Sequence, residues 1–123
     1  MGDARVRAGG HARELWTRER CFIRELVNDP AIREFSLAEA RVEPGVRTEL
    51  HELAVDEWYV IMRGSGLMEV GGKAAFAVGP GDVIAIPAGT SQRIANTGSE
   101  DLIFQCICLP RFTAAAYQAL EGP

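Results

Sequence analysis

At 123 residues, with 47 % hydrophobic and 24 % charged residues, the chain has the size and composition of one ordinary globular domain. A domain this long buries enough surface to fold without a disulfide or structural metal. The net charge of −4 and the lack of a long basic run exclude the usual signals for nucleic acid or an anionic membrane, and no segment has signal-peptide or membrane-spanning character.

Residues 1–20 are rich in Gly, Arg, Ala and Glu and are expected to form an N-terminal arm. Gly9–Gly10 interrupts any early helix, and a short helix over Ala12–Arg20 would have only Leu15 and Trp16 as its apolar face. Such an arm is expected to be loosely attached, or else to lie across a partner subunit. His11, within it, is expected to be solvated.

From Cys21 the pattern is all-β, with short apolar runs separated by turn chemistry. The expected strands are Cys21–Leu26, Phe35–Val42, Arg47–Leu53, Glu57–Met62, Leu67–Val70, Ala75–Val78, Val83–Ile86, Ser91–Ala95 and Leu102–Leu109. Asn28-Asp29-Pro30, Pro44-Gly45, Arg63–Gly66 and Gly79–Asp82 read as turns, and Gly71–Gly72 as a tight hairpin. Thr113–Leu120 has helical character. The chain therefore divides into an arm (1–20), a barrel or sandwich (21–112) and a short helical tail (113–123). Glu57–Met62 is apolar on both faces, so one face needs a cover, from the chain's own sheets or from a second copy. A homodimer is the expected assembly. Cys21, Cys106 and Cys108 are an odd set without a secretion signal, which points to reduced, buried thiols and a cytoplasmic setting.

Two glycine-bounded segments carry the chemistry. In the first, five residues separate Gly45 from His51; Leu53 follows at the next same-face position, then Glu57 after three residues and Gly64 after six. In the second, Gly81 is followed by five residues, Pro87-Ala88-Gly89, two residues, Gln92, three residues and Asn96. These segments resemble the paired motifs of the cupin superfamily in every spacing. The resemblance implies a single cupin (double-stranded β-helix, or jelly-roll) barrel spanning roughly residues 36–110. It also implies an interior site at positions 51, 53, 57 and 92. In the family these positions hold three histidines and a glutamate around one divalent metal. Here Leu53 and Gln92 replace two of the histidines.

His51, Glu57 and Gln92 are thus the candidate metal ligands, one nitrogen and two oxygens, for a divalent ion such as iron, manganese, nickel, copper or zinc. A metal-free pocket is the alternative. His51 and Glu57 would then form a hydrogen-bonded acid–base pair while Gln92 orients a substrate carbonyl. A third reading has the same residues as a satisfied polar core. Tyr59 shares the face of Glu57 and is the fourth candidate catalytic residue, with packing as its other role. Arg47 and Glu49 are expected on a solvated rim, with a place at the barrel mouth as the alternative. Arg93 is expected to face away from Gln92, and Cys106 is a candidate for the cavity wall.

The resemblance favours a small-molecule enzyme acting on a small oxygenated metabolite: an isomerase or cyclase, a decarboxylase, or a dioxygenase-like enzyme, possible with or without metal. A non-catalytic binding module for a small organic ligand is the alternative, since a fold alone does not decide between them.

Overall fold

Along β5 and β10 every second side chain is buried, the period of a strand with one face toward a core. A computed structural model, which describes residues 2, 4–7 and 12–122, has eleven strands among those residues. They are β1 (Leu15–Trp16), β2 (Phe22–Val27), β3 (Ser36–Val42), β4 (His51–Leu53), β5 (Asp56–Arg63), β6 (Gly66–Val70), β7 (Phe76–Val78), β8 (Val83–Ile86), β9 (Gln92–Asn96), β10 (Leu102–Leu109) and β11 (Tyr117–Ala119). The expectations placed on Gly9, Gly10 and His11 lie outside the described residues.

Two antiparallel sheets form the body. One has the order β1-β2-β3-β10-β5-β8 and the other β11-β4-β9-β6-β7. Their facing sides give the all-β, jelly-roll architecture expected from the sequence. Register divides the interior into two ends. Val42 pairs with Leu102 and Ala40 with Phe104, while Ala38 pairs with Cys106 and Ser36 with Cys108. At the first end, Val42, Ile61, Met68, Ile94 and Leu102 are fully buried and make a solid core. Each such side chain contributes roughly 1.5–3 kcal/mol. At the second end the strands splay around an open cavity.

The turns follow the residues that permit them. Gly71 and Gly72 both have positive φ, and the Val70 carbonyl accepts from the Lys73 N–H across them at 3.3 Å, as a tight hairpin requires. Gly64 (φ 81°) has a second constraint, because a Cβ there would lie 2.6 Å from the Asp101 carbonyl oxygen.

Three local expectations are corrected. Arg47–Leu53 is not one strand: Arg47 makes an isolated bridge to Ala95, and the regular strand begins at His51. The intervening backbone is claimed elsewhere, Glu49 N–H by the Glu19 carbonyl at 3.0 Å and Leu50 N–H by the Glu121 carboxylate at 2.6 Å. The helical tail is a single 3₁₀ turn (Ala114–Ala116) followed by β11. Eight residues seldom sustain a helix, whereas the free edge of β4 offers a ladder, and Tyr117, Gln118 and Ala119 pair with Leu53, Glu52 and His51. The arm is neither helical over Ala12–Arg20 nor loose. Leu15 and Trp16 pair with Ile23 and Phe22, and Arg41 holds Glu14 at 2.7 Å. Arg20, at φ 67°, turns the chain into β2.

Candidate active site

The cavity at the splayed end has a volume of about 680 Å³. His51 reaches it from β4, Glu57 and Tyr59 from β5, and Phe104, Cys106 and Cys108 from β10. Glu19 from the arm and Tyr117 from β11 close it. Alternation along β4 aims His51 and Leu53 inward together, as their sequence spacing implies.

His51 is 2 % exposed, and its Nδ1 lies 2.6 Å from the Glu49 carbonyl oxygen. A carbonyl only accepts, so Nδ1 carries the hydrogen, and in the neutral ring Nε2 is the lone-pair atom. Nε2 stands 4.0 Å from Glu19 Oε2, and the ring stacks on Tyr117 with centroids 4.8 Å apart. The expected hydrogen-bonded His51–Glu57 pair is therefore absent, since the carboxylate facing His51 is Glu19. Burial raises the proton affinity of Glu19; the charge of His51 opposes that rise and Glu49 adds to it.

Glu57 is 6 % exposed. Burial pushes its carboxyl up to about 7; the Gln92 amide opposes the rise, Glu19 reinforces it and the Cys108 thiol opposes it. Cys108 Sγ donates to Oε2 at 3.7 Å, while Oε1 is buried without a hydrogen-bond partner. The Gln92 amide influences Glu57, yet its Nε2 also makes no hydrogen bond of acceptable geometry. Its Oε1 accepts from the Tyr59 hydroxyl at 2.7 Å. Gln92 is fully buried behind Glu57 and Tyr59 and forms no part of the cavity wall. Tyr59 in turn stacks on Phe104 at 4.4 Å, so its hydroxyl fixes Gln92 instead of facing the cavity contents.

Glu49 and Arg47, expected together, are separated: Arg47 is exposed and Glu49 is buried. The Tyr117 hydroxyl at 2.6 Å and the Arg18 guanidinium at 3.0 Å hold the Glu49 carboxyl below its ordinary range, against the cost of desolvation. Arg93 faces outward and pairs with Glu69 at 2.6 Å. All three cysteines are free and buried. Burial pushes Cys21 and Cys108 up to about 12 and Cys106 well above its ordinary value, so none offers a thiolate at neutral pH.

The donor set does not make up a metal centre as it stands. It offers one imidazole nitrogen and one carboxylate, and the amide oxygen meant for the metal is occupied by Tyr59. Among the described residues no three His, Cys, Asp or Glu side chains gather as a group able to hold a metal ion.

Residues 38–108 match the family model described as Cupin domain. This chain is a cupin. Solved cupin structures agree in fold at low identity. Oxalate decarboxylase from Bacillus subtilis is 21 % identical with a TM-score of 0.81 over 98 % of this chain, which corresponds to only 33 % of that enzyme. The polyketide cyclase RemF from Streptomyces resistomycificus is 20 % identical with a TM-score of 0.79, covering 100 % of this chain and 88 % of that one. A predicted oxalate decarboxylase from Thermotoga maritima is 23 % identical with a TM-score of 0.77, covering 86 % and 99 %. No curated protein sequence matches the chain.

The motif located His51, Glu57 and Gln92, but it held no signal for two residues that complete this cupin's site. Glu19 lies in an arm with no strand periodicity, and Tyr117 lies in a segment whose alanines suggest helix. Only the fold brings them to His51.

Proposed function

We propose that this cupin is a small-molecule enzyme that moves protons on an oxygenated metabolite within the barrel, as in isomerisation, cyclisation or dehydration. The observation that carries this reading is the Glu57 carboxyl: it lines the cavity and is raised to about 7. In its protonated form Glu57 offers a hydrogen to a carbonyl or hydroxyl oxygen of the substrate. His51, with Nδ1–H fixed on the Glu49 carbonyl, receives a proton at Nε2. Glu19 then faces the imidazolium that forms. Tyr59 and Gln92 act as positioning residues behind Glu57. Decarboxylase or dioxygenase-like chemistry assisted by a divalent metal is the second course. It requires Gln92 to turn its amide away from Tyr59 and present oxygen to the cavity. A cytoplasmic location belongs to the same proposal, supported by the three unbridged cysteines.

The test is solvent-proton exchange. Carbonyl compounds bound by the wild-type protein are incubated in D₂O, and deuterium entering C–H positions beside the carbonyl is followed by mass spectrometry. Exchange that is lost in Glu57→Gln and His51→Ala, with binding retained, is the expected result. A ligand that binds and is recovered without deuterium or chemical change identifies a non-catalytic binding module instead. Stoichiometric metal in tag-free protein, lost in both variants, selects the metal-assisted course.

A further inference from the structure

We propose that the cavity takes an uncharged, flat molecule of about two or three fused rings bearing oxygen substituents, and not a dicarboxylate or other compact anion. The proposal rests on the preceding reading only in taking this cavity as the binding site.

Size gives the first argument. A cavity of about 680 Å³ equals the liquid volume of roughly twenty water molecules. A two-carbon diacid would leave most of the cavity to solvent, whereas a fused-ring compound would fill a large part of it.

Charge gives the second. The acidic residues lining the cavity are Glu19, Glu25 and Glu57, and its cations are Arg13 and Arg18. Both arginines are exposed residues of the arm, and Arg18 is held by Glu49. Among the described residues, no lysine or arginine accompanies Glu57 in the buried part of the wall. A compact anion seated beside Glu57 would give up its water with no buried lysine or arginine to replace it. An uncharged hydroxyl or carbonyl can instead exchange one hydrogen bond with His51 Nε2.

Shape gives the third. Each sheet contributes a stacked ring pair to the wall: Tyr59 with Phe104 from the six-stranded sheet, and His51 with Tyr117 from the five-stranded one. Tyr117 and Phe112, the half-buried rings of the wall, offer aromatic surface that a flat guest covers and a branched aliphatic guest does not.

The experiment titrates the full chain with 1,8-dihydroxyanthraquinone, anthraquinone-2-carboxylate and oxalate by calorimetry near pH 7. The expected result is saturable binding of the uncharged quinone at one per chain, at least about tenfold weaker binding of its carboxylate analogue, and no saturation by oxalate. Ala38→Phe, which fills the wall, should weaken the quinone by at least about tenfold; Ala38→Leu is the second, smaller filling variant should the first fail to fold. Saturation by oxalate, equal binding of the two quinones, no quinone binding at all, or quinone binding untouched in a folded filling variant would each overturn the proposal. Quinone binding without deuterium exchange into any bound carbonyl compound leaves this inference standing and removes the catalytic one. Exchange on a small diacid without quinone binding does the reverse.

Discussion

At the scale of single residues, Glu57 dominates. The folded chain keeps its proton up to about 7, whereas the unfolded chain releases it near the ordinary value of 4.5. Its contribution to stability is therefore fully present below 4.5 and is lost as pH rises through about 7. Glu57→Gln removes this dependence. Thermal melts from about pH 4 to about pH 8 should show the variant gaining on the wild type as pH increases. Turnover, once a substrate is known, should fall by roughly 10²–10⁴-fold in the same variant. With Glu57 as the acid, wild-type activity declines as pH rises through about 7; a rise over that range would assign it the base role. Tyr59→Phe tests the layer behind. It strands Gln92 Oε1, which is buried and whose partner is the Tyr59 hydroxyl, and should cost about 1–3 kcal/mol in a denaturant titration.

At the scale of elements, the barrel was legible and the closure of its mouth was not. Glycine spacing and alternation place β5, β8, β9 and β10 almost to the residue, because each is long or firmly bounded and half-buried. The arm and the tail have no such periodicity. Their structure comes from long-range partners, the free edge of β4 for Tyr117–Ala119 and the Phe22–Ile23 backbone for Leu15–Trp16. The same reason explains the candidate site: a local motif encodes His51 and Glu57, but no local pattern encodes that Glu19, thirty-two positions before His51, will face it. Truncation after Ala116 removes Tyr117 from both His51 and Glu49. The expected outcome is a folded barrel whose His51 ring signals shift and whose β4 amides lose hydrogen-exchange protection, while those of β10 keep theirs.

At the scale of the whole molecule, the outer face of the six-stranded sheet remains apolar. Trp58 is 41 % exposed, Met62 47 % and Val83 57 %, and Val60 pairs with Val83 between them. A second copy of the chain is the expected cover, by the same reasoning that derives a cover from the two-sided apolar pattern of β5. Light scattering after size exclusion should give twice the chain mass, and Trp58→Glu with Val83→Glu should give a single chain mass with the fold retained. An unchanged mass in the double variant would place the interface elsewhere.

Segments far apart in sequence meet around His51: Arg20 holds Glu121 at 2.8 Å, Glu19 faces the imidazole and Tyr117 covers it. During synthesis the early contributors must therefore wait for the late ones. A chain cut after Leu109 carries β1–β10 but lacks Tyr117 and Glu121, which leaves the His51 face uncovered.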